Sequence, residues 1–405
     1  IKNGGLIINY IGHGNEFFWA EEKIIDDNSI YEWENRHQFP LFITATCEFG
    51  KFDDPLITSG GEMLLNKENG GAIALFTTTR PVFSQSNFRL NQKFYENVFK
   101  KNEGKHLKIG DIFRITKNKS LSGPINRNFS LLGDPSLSLS YPKLNVEIEK
   151  IDTLRSGDKM VINGSIIDSK GELKSNFNGE LFTELYDKIS TNTTLGDESD
   201  PYNFREWDNL LFKGRSSITN GKFQIEAIIP VNIDYQMGNG KVHFFATDTV
   251  SFEEAIGSSF FQIGGSSKNF KNDNKGPDIE LFIDSYGFKS GDIVSRNPLL
   301  IVDVFDESGI NLSEKKSFQK ILAIIDDTIS IKLNEYFSYQ KDSYQDGSIR
   351  FPIDGLSTGK HKIEIKISDN YNNLSTQSVV FIIGKDNSLK ISEVISFPKI
   401  GRAHV

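Results

Sequence analysis

Two residue types suited to covalent catalysis stand directly after short apolar runs near the start of this chain. Leu6-Ile7-Ile8-Asn9-Tyr10-Ile11 leads into Gly12-His13-Gly14, and Leu41-Phe42-Ile43-Thr44-Ala45-Thr46 leads into Cys47, the one cysteine of the sequence. A thiolate is a strong nucleophile, and a neighbouring imidazole can take the thiol proton and later return it to a leaving group. Gly14 lets a substrate carbonyl approach the backbone, so its N–H and that of Cys47 could form an oxyanion hole. One such donor is worth roughly 3–4 kcal/mol. On these residues alone a plainer reading stays open, with Cys47 a small buried hydrophobe at a strand end and His13 a turn residue.

Positioning the pair requires particular elements. Each apolar run has the length of a buried strand, is rich in β-branched residues and is bounded by turn or polar residues. Two parallel neighbours would deliver both residues to one carboxyl edge, where open α/β sheets place their sites. Downstream, Asp54-Pro55 to Lys67 predicts a helix with Pro55 in its first turn and Gly70-Gly71 at its end. Positions 72–77 predict a strand, and 86–101 and 107–119 predict amphipathic helices. This alternation makes residues 1–142 an α/β domain with a largely parallel sheet. From Lys143 the texture becomes alternating, with turn signals such as Ser156-Gly157-Asp158 and Thr219-Asn220-Gly221. A β-sandwich is expected over 143–265, a Gly/Ser/Asn/Lys-rich linker over 266–276, and a second sandwich over 277–385. Asp346-Gly347 is expected at a hairpin turn. Residues 386–405 read as a tail, and its last six resemble the translation of a common sequencing adapter.

The net charge of −8 and the lack of a basic stripe argue against nucleic acid as the main partner. No apolar run approaches the roughly 18 residues of a membrane-spanning helix. A single cysteine excludes an internal disulfide but leaves the compartment open. The chain opens at Ile1-Lys2-Asn3 without an initiator Met, so a piece of a longer protein is expected, and a missing leader says nothing of location.

Gly12-His13-Gly14 and Ala45-Thr46-Cys47-Glu48-Phe49-Gly50 resemble the His and Cys motifs of the gingipain family of cysteine peptidases. Within that family, the run from Cys47 to Pro55 resembles most closely the gingipain-like sortase of the type IX secretion system. So do Ser59-Gly60-Gly61-Glu62, Gly70-Gly71-Ala72-Ile73-Ala74-Leu75 with Thr77-Thr78-Thr79-Arg80, and Leu131-Leu132-Gly133-Asp134-Pro135. The resemblance implies a caspase-like α/β fold followed by two immunoglobulin-like all-β sandwiches. It implies Cys47 as nucleophile, His13 as general base and acid, and Gly14 and Cys47 as backbone oxyanion donors. An acidic residue that orients the His in gingipains falls before the start of this chain. Proteins of the sortase type cut a C-terminal sorting domain from exported cargo at the outer-membrane surface, among other secretion components. They can pass the acyl group to an amine of an anionic lipopolysaccharide. An ordinary secreted protease and an inactive, surface-binding relative stay open beside that reading. No cofactor is implied.

Weaker candidates have two readings each. Trp19 could wall a substrate pocket or pack in a core. Arg80 could bind a carboxylate or make a structural ion pair. Asp53-Asp54 could ligate structural calcium or cap a helix, and Asp303, Asp306 and Glu307 invite the same calcium reading. His37, His106, His243 and His361 have no ligand-type spacing and read as ordinary residues.

Overall fold

The computed structural model describes residues 5–36, 38–120, 122–196, 200–268, 270–314 and 321–384; His37 and the tail 386–405 lie outside them. The chain divides into two compact units, Ile1–Tyr141 and Pro142–Val405. In the first, the order is β1 (Ile7–Ile11), α1 (Asp27–Glu32), β2 (Leu41–Ala45), α2 (Gly60–Asn66), β3 (Ala74–Thr78) and α3 (Ser84–Val98). A two-residue hairpin, β4 (Lys101–Asn102) and β5 (Lys105–His106), precedes α4 (Ile109–Ser120) and β6 (Phe129–Gly133). The sheet order is β1-β2-β3-β6, parallel through β3, with β6 antiparallel to it.

Both central strands are buried at every position, as parallel strands covered on two faces must be. Their two-residue alternation divides the core. Leu41, Ile43, Ala74 and Phe76 meet Phe94 and Val98 of α3 and Ile109 and Ile112 of α4. Phe42 and Leu75 meet Trp19, Ile25, Ile30, Phe49 and Leu64 on the other side.

Helix α2 begins later than Pro55 suggests. Ser59 caps it: the Glu62 carboxylate accepts the Ser59 N–H at 2.9 Å and the Ser59 hydroxyl accepts the Glu62 N–H at 3.4 Å. Asp54 closes a separate turn by accepting the Leu56 N–H at 3.1 Å. After the helix, Gly71 adopts φ 96° within reach of the Leu64 carbonyl, where a Cβ would lie 1.9 Å from that oxygen.

The second unit is largely antiparallel. Its first part comprises β7 (Leu144–Ile148), β8 (Leu154–Ser156), β9 (Lys159–Ile167), β10 (Gly179–Tyr186), β11 (Ser190–Thr193) and β12 (Asn203–Glu206). It continues with β13 (Leu210–Ile218), β14 (Lys222–Ile228), β15 (Gly238–Asp248) and β16 (Glu254–Ser266). One sheet runs β13-β10-β15-β16-β7-β9-β14, with β8 beside β16, while β11 and β12 pair separately. The two end strands, β13 and β14, are consecutive in sequence and joined at the bridge of Thr219 with Lys222. The sheet therefore curls back on itself around Leu181, Leu185, Ile225 and Phe244.

The rest of the unit holds β17 (Asp278–Ile283), β18 (Ile293–Val294), β19 (Leu299–Phe305), β20 (Leu322–Ile325) and β21 (Ile329–Lys332). Last come β22 (Phe337–Tyr339), β23 (Asp346–Pro352), β24 (Gly359–Ser368) and β25 (Leu374–Ile383). These form two sheets, β17-β19-β23-β22 and β18-β25-β24-β20-β21. An apolar core continues through both parts of the unit, with Phe212 stacked on Tyr339 at 5.5 Å. Asp346-Gly347 is not at the hairpin turn; it opens β23. The turn lies before it, closed by the Gln340 N–H donating to the Asp346 carbonyl at 2.8 Å. Gly347 is instead packed under the Phe337 ring, where a Cβ would come within 2.3 Å of Cζ. Among the described residues, no helix is long and apolar enough to cross a membrane.

Candidate active site

Strands β1 and β2 run parallel with Ile11 opposite Ala45, so Gly12-His13-Gly14 and Thr46-Cys47 leave one carboxyl edge side by side. The Gly12 N–H reaches the Ala45 carbonyl at 3.4 Å. Gly14 presses directly on the second strand's end: a Cβ there would lie 2.6 Å from Thr46 Oγ1 and 2.8 Å from the Phe18 carbonyl. Only a residue without a side chain allows the two loops to touch at this point.

His13 is exposed and Cys47 half-buried. The His13 carbonyl is fixed by the Tyr10 hydroxyl at 2.6 Å and the Ala20 N–H at 2.9 Å. Its imidazole makes no hydrogen bond or ion pair among the described residues. The Cys47 thiol donates to the Val82 carbonyl at 3.7 Å, in the loop that follows β3. Among the described residues, neither the Gly14 N–H nor the Cys47 N–H donates to any protein group. Both lie on the loops at the carboxyl edge of the sheet and retain their donor capacity.

The chain turns sharply after Cys47. Glu48 takes φ 56°, a left-handed conformation costly for a residue with a side chain. Neighbouring groups hold that turn in place. The Gly50 N–H donates to the Thr78 carbonyl at 2.9 Å, and a Cβ at Gly50 would fall 2.2 Å from Thr77 Cγ2. The Thr44 and Thr77 hydroxyls bond at 2.6 Å, and the Thr78 hydroxyl donates to the Thr46 carbonyl. From α3, Asn87 Nδ2 donates to the Ala45 carbonyl at 2.9 Å, and Asn91 exchanges amide bonds with Asn9 of β1.

Trp19 does not wall a pocket. It is 2% exposed, stacked on Tyr10 at 4.6 Å and packed on Phe42 and Phe49, so its ring is part of the core beneath the His13 loop. Arg80 is engaged by Asp53 in a two-pronged pair, at 2.9 and 2.5 Å, and the guanidinium holds the Asp53 carboxyl below its ordinary range. Asp53 therefore serves that pair, and α2 takes its cap from Ser59.

The remaining acidic candidates lie in the second unit. Asp306 is buried and accepts the Ser308 N–H at 2.8 Å and hydroxyl at 2.7 Å; burial pushes its pKa up to about 6. Asp303 accepts the Tyr286 hydroxyl at 3.5 Å. Among the described residues, no group of three or more His, Cys, Asp or Glu side chains is arranged to hold a metal ion. His106 stacks on Tyr141 at 3.7 Å, and His243 stands edge-on to Tyr186. His361 bonds to Asp326 and to the Ser357 carbonyl.

One group near the site escaped the reading of the sequence. Lys51 Nζ lies 3.5 Å from Glu16, 3.5 Å from Glu48 and 3.8 Å from Asp54. The spacing Glu48-x-x-Lys51-x-x-Asp54 was the available signal; Glu16, on the other loop, had none.

Residues 1–140 match the model of peptidase family C25. Among solved structures, the chain is similar to dimeric latent PorU from Porphyromonas gingivalis, at 25% identity over 71% of this chain and 29% of that one, with a TM-score of 0.40. It is also similar to the Arg specific cysteine proteinase gingipain R (RgpB), at 14% identity over 65% of this chain and 54% of that one, with a TM-score of 0.32. The complex of Porphyromonas gingivalis RgpB pro- and mature domains gives 15% identity, 65% and 55% coverage and a TM-score of 0.32. The chain thus spans between 29% and 55% of these proteins' own length. No curated protein matches it.

Proposed function

We propose, on the premise that residues 1–140 belong to peptidase family C25, that His13 and Cys47 are the catalytic pair of a cysteine peptidase. The observation that carries this is the convergence of both loops on one sheet edge, each with a backbone N–H that donates to no protein group among the described residues. The imidazole takes the thiol proton as Sγ attacks the substrate's carbonyl carbon. The resulting oxyanion is held by the Gly14 and Cys47 N–H groups. As the tetrahedral adduct collapses, the C–N bond breaks and the imidazolium protonates the leaving amine. The thioester left on Cys47 is then resolved by water or by an amine.

The finer reading is that of a sortase: removal of a C-terminal sorting domain from exported proteins at the outer-membrane surface, with transfer to a lipopolysaccharide amine. Its support is the run of motifs from Cys47 to Pro55 together with Ser59-Gly60-Gly61-Glu62. Other secretion components of the outer membrane are the partners this reading brings with it. An ordinary protease would use the same chemistry with water alone. A third reading, an inactive relative that binds partners, is favoured by one observation: the thiol faces the Val82 carbonyl rather than the imidazole. Against it, catalytic hydrogen bonds often tighten only when substrate is bound.

The deciding experiment measures Cys47 alkylation against pH beside His13→Ala. An activated thiol alkylates rapidly well below the free-thiol pKa of about 8.5 and is slowed by the substitution. Slow alkylation indifferent to His13 would sink the catalytic reading. Supplying a nucleophilic amine with a peptide substrate then separates the two enzymes, since only a sortase yields amine-linked product.

A further inference from the structure

The His13 loop and the Cys47 loop are bridged by one ammonium group. Glu16 stands three residues after His13 and Glu48 directly follows Cys47; Lys51 Nζ lies 3.5 Å from a carboxylate oxygen of each and 3.8 Å from Asp54. All four side chains are between 23% and 30% exposed, so water and salt screen them less than a fully exposed surface pair.

We propose that Lys51 is a positioning residue for the catalytic pair, holding the loop that carries His13 against the loop that carries Cys47. This rests on the reading of His13 and Cys47 as that pair. Three carboxylates share one ammonium, so the cluster is held together only while Lys51 is charged and present. Without it, Glu16 repels Glu48 and Asp54 across the boundary between the loops. Glu48 has little freedom to retreat, because its left-handed backbone is tied by the Lys51 N–H to its carbonyl at 3.0 Å. The Glu16 carbonyl is pinned by the Gly60 N–H at 2.7 Å. The strain of an unbalanced cluster therefore falls on the residues beside these anchors: Cys47, directly before Glu48, and His13-Gly14, two to three residues before Glu16. Burial works against the Lys51 ammonium, but Glu48, Glu16 and Asp54 outweigh it and hold the pKa above the ordinary lysine value. The clip stays closed across the neutral range.

The test compares Lys51→Met, Lys51→Arg, Glu16→Gln and His13→Ala in the full chain, by iodoacetamide alkylation of Cys47 from about pH 5 to about pH 10, with thermal unfolding alongside. Lys51→Met should alkylate roughly tenfold more slowly near neutrality, yet match the parent near pH 10, well above the free-thiol pKa of about 8.5, where activation by the imidazole no longer matters. Lys51→Arg should restore the profile, and Glu16→Gln, which opens the clip on one side only, should give a smaller shift in the same direction. A Lys51→Met profile that superimposes on the parent overturns the proposal. So does one that is slowed equally at every pH, or one that Lys51→Arg fails to rescue. Should Lys51→Met not fold, Glu16→Gln decides alone, and a parent-like profile overturns it. If His13→Ala leaves the profile unchanged, the catalytic pair itself is wrong and the inference falls with it; if only the Lys51 and Glu16 variants are silent, the pair stands and the clip does not.

Discussion

At the carboxyl edge of the first unit's sheet, polar groups have hydrogen-bonding capacity to spare. Among the described residues, the His13 ring is without a protein partner and the Gly14 and Cys47 N–H groups donate to no protein atom. In the second unit, the His361 ring and the Asp187 carboxylate are both engaged by protein groups. His361 Nδ1 lies 2.7 Å from Asp326, and Nε2 lies 2.7 Å from the Ser357 carbonyl. Buried Asp187 accepts from Lys188 at 2.8 Å and from Asn209 at 3.1 Å. A complete His–carboxylate pair is thus present in this chain, in a β-sandwich where both ring nitrogens are spent on holding a strand to a turn. What separates the His13 site from the His361 site is the capacity left over for something that is not protein.

The sharpest way to break this comparison is Gly14→Ala. Its Cβ would meet Thr46 Oγ1 and the Phe18 carbonyl, so the His13 loop must lift from the Cys47 loop. On the proposed mechanism, peptidase turnover should fall by roughly 100-fold, a displacement effect, while urea unfolding of the second unit is unchanged. Undiminished kcat/KM would mean that the contact does not set the geometry.

His361→Ala should do the reverse. It removes two hydrogen bonds to a buried ring, and urea titration should show a loss of roughly 2–3 kcal/mol with Cys47 alkylation untouched. The pH dependence sharpens this. Burial works against the imidazolium, but Asp326 and the Ser357 carbonyl hold the His361 pKa above its ordinary value. That contribution is present below the unfolded pKa of about 6.5 and is lost as pH rises through the folded value. Asp326 pays burial too, yet the Lys362 N–H and His361 hold its carboxyl low, so its share appears above about pH 4 and fades as pH falls through the folded value. The loss on substitution should therefore be greatest between those limits and shrink in alkaline buffer.

The smallest effect is expected at Asp306. Burial outweighs its bonds to Ser308 and raises its pKa to about 6, with Asp369 and Asp273 adding to the rise. A carboxyl raised on folding stabilises the native state below its unfolded pKa, and that contribution is lost as pH climbs from about 4 through about 6. Asp306→Asn keeps an acceptor for Ser308 and removes the charge. It should stabilise the second unit by roughly 1–2 kcal/mol at neutral pH and flatten the pH dependence of its denaturation midpoint. A destabilised variant would mean that the ionised carboxylate is the form the fold wants.

Much of the first unit was legible because its signals are local. Buried parallel strands read as short apolar runs, and the gingipain resemblance carried by the Gly-His-Gly and Cys-Glu-Phe-Gly motifs is borne out by the match to family C25. The start of α2 was misread because two local cues competed, and the Ser59–Glu62 capping box outweighed Pro55. Trp19 was ambiguous for a different reason: a ring's fate is set by whatever stacks on it, and Tyr10, Phe42 and Phe49 come from three separate segments. Asp346-Gly347 has the composition of a turn but serves the Phe337 ring, a contact no dipeptide rule contains. Of the Lys51 cluster, only the spacing of Glu48, Lys51 and Asp54 was legible, because Glu16 joins it only once β1 and β2 are neighbours.

The curled sheet of the second unit also dictates an order of events. Among the described residues, strand β8 pairs with β16 alone, and β7 pairs with β16 in parallel through Leu144–Ala255 and Asn145–Ile256, roughly a hundred residues downstream. A chain delivered amino end first can pair β7 with β9, β9 with β14, and β10 with β13 and β15, but it carries β8 unpaired until residues 254–266 arrive. Ring closure by β16 is consequently the last step in building this sheet, and until then its two halves are open templates for other strands.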